Sequence, residues 1–197
     1  MLSLLMALLL ALNAVPIDQK TSRPAPYEDK GKYGYKDGHG NIVIQPAFQL
    51  AQEFSAEGLA AVVDDRGWAY IDGRGNVVIR PYVFDNGPDY FSQGLARFVL
   101  DGKFGFFDKR GKVVIKPAFD FAGPFQNGAA AICSGCAIKS DDGHSVAAGG
   151  KWGFINRAGR IIVPYSCEEV TPFENGKAKV KRGGEWMVID KTGRAVK

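Results

Sequence analysis

KFGFFDKRGKVVIKPAF, residues 103–119, decides the fold. KFGFFD alternates large apolar with small or polar residues, and VVI continues the pattern beyond a short polar break, which is the signature of a β-hairpin. The break, Asp108 to Gly111, starts on an acid and ends on a glycine. The Asp side chain accepts from backbone N–H groups further along the turn, and the glycine supplies the left-handed conformation that closes a type I turn with a G1 bulge. Working outward, the same pattern returns as KYGYKDGHGNIVIQP from Lys32, GWAYIDGRGNVVIRP from Gly67, KWGFINRAGRIIVP from Lys151 and EWMVIDKTGRAVK from Glu185. The leading aromatics Tyr33, Trp68, Phe104, Trp152 and Trp186 are spaced by 35, 36, 48 and 34 residues, and the turn glycines Gly40, Gly75, Gly111, Gly159 and Gly193 repeat those spacings. A period of this size marks a repeat architecture in which one unit cannot bury its apolar face without a neighbour.

After each complete hairpin comes a proline, Pro46, Pro81, Pro117 or Pro164, read as the end of the second strand because proline cannot donate to a ladder. A loop then carries Phe54, Phe91, Phe125 or Phe173, expected to plug the gap between successive units, followed by Gly58, Gly94, Gly128 or Gly176. LAAVV, LARFVL, AAAI and KAKVK after the glycine read as a third short strand. The expected fold is all-β, with tandem units of about 35 residues stacked in an elongated or curved array. The alternative is a closed β-propeller, with the short fifth copy pairing with residues 27–35, although propeller blades usually have four strands and are longer.

The pattern K-W-G-F-[IF]-[DN]-x-x-G-x-[IV]-[IV]-[IV]-x-P-x-F, with a later F-x-x-G-x-A-x-V, resembles the WG repeat, also called the KWG repeat, of bacterial proteins. Residues 151–164 and 103–119 carry it most closely, and the likeness extends over about 165 residues. The Trp-Gly pair itself survives only as Trp152–Gly153; repeat two has Trp68–Ala69 and repeat five Trp186–Met187. The resemblance implies an all-β repeat protein, often exported or fused to other modules, with no common activity.

The repeats are expected to fill residues 32–197. Residues 1–15, MLSLLMALLLALNAV, form an uncharged apolar run of signal-peptide length, too short to span a bilayer comfortably. Residues 16–31 are polar and proline-containing, and read as a linker. These features predict an exported protein, periplasmic or extracellular, with no integral membrane domain.

The long spacing between repeats three and four comes from extra residues within 133–150, CSGCAIKSDDGHSVAAGG, expected to form a loop on one face. They bring Cys133, Cys136 and His144 together in sequence. Three readings stay open: a local Cys133–Cys136 disulfide, a redox-active C-x-x-C, or a metal site using Cys133, Cys136, His144 and Cys167. Cys167 stands where other repeats have Phe48, Phe84 or Phe119, which suits a small apolar core position.

Other chemistry is sparse. The chain has no nucleophile elbow, phosphate-binding loop, dinucleotide fingerprint or H-E-x-x-H, and only two histidines. No catalytic residue and no cofactor is assigned. The DGHGN and DGRGN turns lack calcium-loop spacing. The net charge of +4 does not point to nucleic acid. Charge gathers at residues 176–197, where Lys177, Lys179 and Lys181 alternate with Ala178 and Val180 and so share one strand face. That face reads as a solvated cap, or as a contact for an anionic polymer. The functional expectation is a non-catalytic binding or scaffold module for a protein or an envelope glycan. The alternative is a metal-binding or thiol-redox protein centred on Cys133, Cys136 and His144.

Overall fold

The computed structural model describes residues 23–141 and 144–196. The apolar run at 1–15 therefore lies outside the described residues, as does 16–22 of the expected linker. Residues 25–29 of that linker are a strand instead, and belong to the first sheet. The strands fall in chain order into five principal sheets. The first holds β1 (Ala25–Asp29), β2 (Lys32–Lys36) and β3 (Ile42–Phe48). The second holds β4 (Leu50–Ala51), β5 (Ala60–Asp64), β6 (Gly67–Ile71) and β7 (Val77–Ile79). A two-stranded ribbon, β8 (Val83–Phe84) and β9 (Gly87–Pro88), follows it. The third sheet holds β10 (Leu95–Leu100), β11 (Lys103–Asp108) and β12 (Val113–Phe119). The fourth holds β13 (Phe121–Ala122), β14 (Ala129–Asp141), β15 (His144–Asn156) and β16 (Ile161–Cys167), and the fifth β17 (Glu169–Val170), β18 (Lys177–Arg182) and β19 (Glu185–Asp190). All pairings are antiparallel between strands adjacent in sequence.

Each sheet straddles a repeat boundary. The third strand of one repeat pairs with the hairpin of the next, as β5 does with β6 and β10 with β11. Two-residue turns make this pairing local: Lys30–Gly31, Asp101–Gly102 and Gly183–Gly184 all have positive φ, the twist that suits a tight hairpin.

Neighbouring sheets are joined by apolar cores. Tyr35, Ile44 and Phe48 of the first sheet pack with Val62, Ala69 and Ile71 of the second. Ile79 and Tyr70 pack with Phe98 and Phe107, Phe106 and Ile115 with Ile132 and Ile155, and Phe154 and Val163 with Val180 and Ile189. The loop phenylalanines fill these seams as expected. Phe54 meets Tyr35 at 4.8 Å between ring centroids, Phe91 meets Tyr70 at 5.8 Å, Phe125 meets Phe106 at 4.7 Å and Phe173 meets Phe154 at 4.7 Å. Among the described residues no pairing joins the first sheet to the fifth; residues 27–35 pair with one another across β1 and β2. The array is open, and the propeller alternative is set aside.

The hairpin turns form as the sequence predicts. Asp37 Oδ1 accepts from the N–H groups of His39 and Asn41, and Asn156 Oδ1 accepts in the same way from Ala158 and Arg160. Gly40 and Gly159 take φ of 86° and 76°. From the second repeat on, the turn glycine also seats on the preceding unit: a Cβ at Gly75 would lie 3.1 Å from Ile44, and one at Gly159 3.3 Å from Ile115. Gly40 has no such neighbour among the described residues.

The Asn41 side-chain amide holds the Asp37 carboxyl below the usual carboxylate range, and Thr192 does the same for Asp190. A carboxyl depressed in the folded state stabilises fully above its unfolded pKa of about 4, and the contribution is lost as pH falls through the folded value. Asn156 makes the same backbone bonds without charge. The double variant Asp37→Asn, Asp190→Asn is therefore expected to match the parent near neutral pH and to lose less stability on acidification below about pH 4. Melting temperatures across a pH series check this; parallel curves for parent and variant would refute it.

Three expectations about strand boundaries are corrected. Pro46, Pro117 and Pro164 do not end their strands; β3, β12 and β16 run through them. Each lies in a bulge where four steps on the outer strand oppose two on the inner one, as Tyr33↔Phe48 and Tyr35↔Ile44 record. A bulge on an edge strand tolerates the missing N–H. Only in repeat two does the strand stop, at Ile79, before Pro81. Phe84 is consequently no core equivalent of Phe48: it lies exposed in β8, beside a turn in which Asp85 and Asn86 take φ of 48° and 62°. Residues 133–150 do not make a loop either. They lengthen β14 and β15 into a hairpin arm, because the extra residues enter at a strand-to-strand turn and pairing continues in one register from Ala129↔Asn156 to Asp141↔His144.

Candidate functional site

The arm and the outer face of the fifth sheet are where this chain departs from a plain stack. At the base of the arm, Cys133 and Cys136 are joined by a disulfide with their Cα atoms 5.9 Å apart. Gly135, Gly149 and Gly150 beside it all have positive φ. A Cβ on Gly150 would lie 2.5 Å from the Ser134 carbonyl, so the two strands approach closely here. The Gly135 N–H donates to Asp120 Oδ2 at 2.6 Å, and Asp120 is also paired with Lys103. That ammonium holds the Asp120 carboxyl below its ordinary range.

The structure gives the metal reading of this segment no support. Both thiols are consumed in the bridge, and His144 stands opposite Asp141 at the far end of the arm. Asp141 is five residues beyond Cys136, roughly 16 Å along a strand. No group of three or more metal-ligating side chains occurs among the described residues. Cys167 is free and fully buried in the seam between sheets four and five, its sulfur accepting from Arg182 Nε at 3.4 Å. The redox reading lacks the helix N-terminus that usually lowers a C-x-x-C thiol pKa, since both cysteines sit on β14.

On the fifth sheet the predicted alternation holds. Ala178 and Val180 are buried against sheet four, while Lys177 and Lys179 face outward. Lys181, on the same face, is half-buried and donates to Glu169 Oε1 at 2.9 Å, which raises its pKa. Register aligns Lys179 with Ala131 of β14, and Lys177 and Lys181 with Ala129 and Cys133. Those sheet-four residues are opposite Phe154, Asn156 and Trp152 in the ladder, just as the lysines are opposite Val188, Asp190 and Trp186. Lysines thus occupy the positions that in sheet four are small or apolar and turned toward the next sheet. Polar substitution of a stacking face is how repeat arrays make a solvent-facing end. Trp186 and Val188, which share the outward face with Lys181 and Lys179, break that pattern. Trp186 is 51% exposed, and with Val188, Met187, Thr171 and Lys179 it lines a groove of about 540 Å³.

The five leading aromatics are thus not equivalent. Phe104 is fully buried, Tyr33, Trp68 and Trp152 are half-buried, and Trp186 faces out. Sequence reasoning missed one buried polar pair. Arg97 and Asp89 are 4% and 3% exposed and form a bidentate ion pair, with Nε to Oδ2 at 3.0 Å and Nη2 to Oδ1 at 2.6 Å. The available signal was a single arginine in the apolar run LARFVL, where the neighbouring repeats on either side have Ala61 and Ala131.

The sequence profile of the WG containing repeat matches residues 33–68, 68–104, 104–135 and 152–186. The chain belongs to the WG repeat family. The matched segments stop at 135 and resume at 152, so the arm is an elaboration added between WG repeats three and four. A search among curated proteins returns no match. No helix among the described residues of this WG repeat protein is long and apolar enough to cross a membrane.

Proposed function

We propose that this chain is a non-catalytic, exported binding module that presents the outer face of its fifth sheet to an acidic envelope glycan. The observation that carries the reading is the groove in which the Trp186 indole lies half exposed beside Lys179. An indole offers a flat apolar surface with a polar edge, suited to the face of a sugar ring. Lys179 Nζ has no acidic partner among the described residues, and supplies a cation for a carboxylate or sulfate. The apolar run at 1–15 and the Cys133–Cys136 bridge support a location outside the reducing cytosol.

Retention on immobilised heparin, used as the anionic probe, tests the reading across a salt series. The triple variant Lys177→Glu, Lys179→Glu, Lys181→Glu is expected to elute at clearly lower salt than the parent. Trp186→Ala, which leaves charge unchanged, is expected to elute between them. Co-elution of the parent with both variants would overturn the proposal.

A further inference from the structure

Beyond the glycan face, a second groove lies between the arm and the fifth sheet. It measures about 590 Å³ and is lined by residues 147–149 of β15, residues 168–170 around β17, and Trp152. Both walls are sheet edges. β17 is the outer strand of its sheet and, among the described residues, pairs only with β18. β15 pairs with β16 no further than Trp152, so from there toward the arm tip its side facing away from β14 has no strand partner among the described residues.

The ladder sets which peptide groups are available. The carbonyls of Cys133 and Ala131 bond to Asp120 and Gly123 on the β13 side, so the opposing Trp152 and Phe154 direct their peptide groups to β16. Gly135 and Gly150 form no pair, but the register is the same on both sides of them, so alternation gives Ala148 the same outward direction, into the groove.

Among the described residues the charged side chains lining the groove are Glu168 and Glu169, and Lys181 stands beside it as the partner of Glu169. Glu168 accepts from the N–H groups of Gly183 and Gly184 at 3.1 Å each, and Glu169 accepts from Lys181. These bonds fix both carboxylates in place while leaving lone pairs unused. The Trp152 ring meets Phe121 in a T-shaped contact and is half-buried, so part of the indole remains open to the groove, where it suits a guanidinium or ammonium.

We propose that this groove is a β-addition site for an extended basic peptide segment. The segment's backbone pairs with β15 at Ala148, and its Lys or Arg side chains meet Glu168 and Glu169 beside Trp152. The site exists only where the arm does, so it is specific to the fourth sheet.

Fluorescence anisotropy with a labelled peptide of about six residues, alternating Arg and Val, tests this on the intact chain. Saturable binding is expected, with affinity falling by roughly ten-fold or more when alternate peptide nitrogens are methylated, because the ladder bonds are lost. Glu169→Gln, at an exposed side chain, is expected to weaken binding about three- to ten-fold, and a Glu-for-Arg peptide is expected not to compete. Trp186→Ala, which reports on the glycan face, leaves peptide binding unchanged, so the two readings fail separately. Equal binding of the methylated peptide, or indifference to Glu169→Gln, overturns the proposal. So does binding seen only after removal of residues 1–22, which would assign the groove to the chain's own leading segment.

Discussion

Replacing Arg97 by Ala lowers the unfolding free energy by about 3–5 kcal/mol, because it leaves the Asp89 carboxylate buried without its counter-charge. The guanidinium ties three parts of the array together. It holds Asp89, in the segment after β9, by two bonds, donates through Nη1 to the Ala122 carbonyl of the fourth sheet at 3.1 Å, and lies over the Tyr82 ring at 4.9 Å. Asp89 accepts in addition from the Arg97 N–H at 2.7 Å. Truncation therefore removes a cation, strands a carboxylate and frees a carbonyl in one step. An apolar replacement of both members is a different matter, since a buried pair contributes little once its desolvation is counted. The double variant Arg97→Met, Asp89→Leu is expected to recover most of the loss. Denaturant unfolding of the parent, the single and the double variant checks this. A single variant within about 1 kcal/mol of the parent would show that the pair is not closed to water.

What the sequence disclosed and what it hid divide along one line, the range of the interaction. Features set within a few residues were legible. Asp37 and Gly40 make their turn with partners two to four residues away, and the alternation of Ala178 and Val180 with lysines follows from strand geometry alone. The loop phenylalanines were legible because they recur and a single unit cannot bury them. The partner of the third strand was not: reading units from their leading aromatic assigned β5 and β10 to the repeat that precedes them, although each forms its sheet with the next hairpin. The signal was present in the Asp101–Gly102 and Gly183–Gly184 turns, which are two-residue hairpin sequences. The same oversight produced the error at the insertion. Extra residues placed at such a turn lengthen two paired strands, whereas extra residues in the phenylalanine loop would have stayed a loop. Arg97 was hidden for another reason, since its acid lies in an irregular segment that no repeat shares.

Gly105→Ala is expected to cost about 3 kcal/mol, near the top of the range for overpacking. The glycine that follows the leading aromatic lies under the bulge of the outer strand. A Cβ at Gly105 would stand 2.7 Å from the Ile115 carbonyl, 2.8 Å from the Pro117 nitrogen and 2.8 Å from the Phe98 ring. Gly34 faces the Ile44 carbonyl and Gly153 the Val163 carbonyl in the same manner, again too close for a side chain. Two of the three atoms around Gly105 are backbone, held by pairing on β12, so they cannot swing aside as a long side chain would. The exceptions to the Trp-Gly pair fit this cause. Repeat two carries Ala69, and its outer strand β7 is three residues long and stops before Pro81, so no bulge crosses that position. Repeat five carries Met187, and among the described residues β19 has only an isolated bridge, Ile189 to Ala195, on that side. Glycine is thus required where a seven-residue outer strand bulges over it, and not by the aromatic before it. Ala69→Gly provides the control: it creates no clash and is expected to cost only about 1 kcal/mol, through backbone entropy and lost packing. Guanidinium unfolding of the two variants separates the explanations. If both shift the midpoint equally, the bulge is not what selects glycine. If Gly105→Ala alone shifts it strongly, the motif is explained by the approach of two backbones.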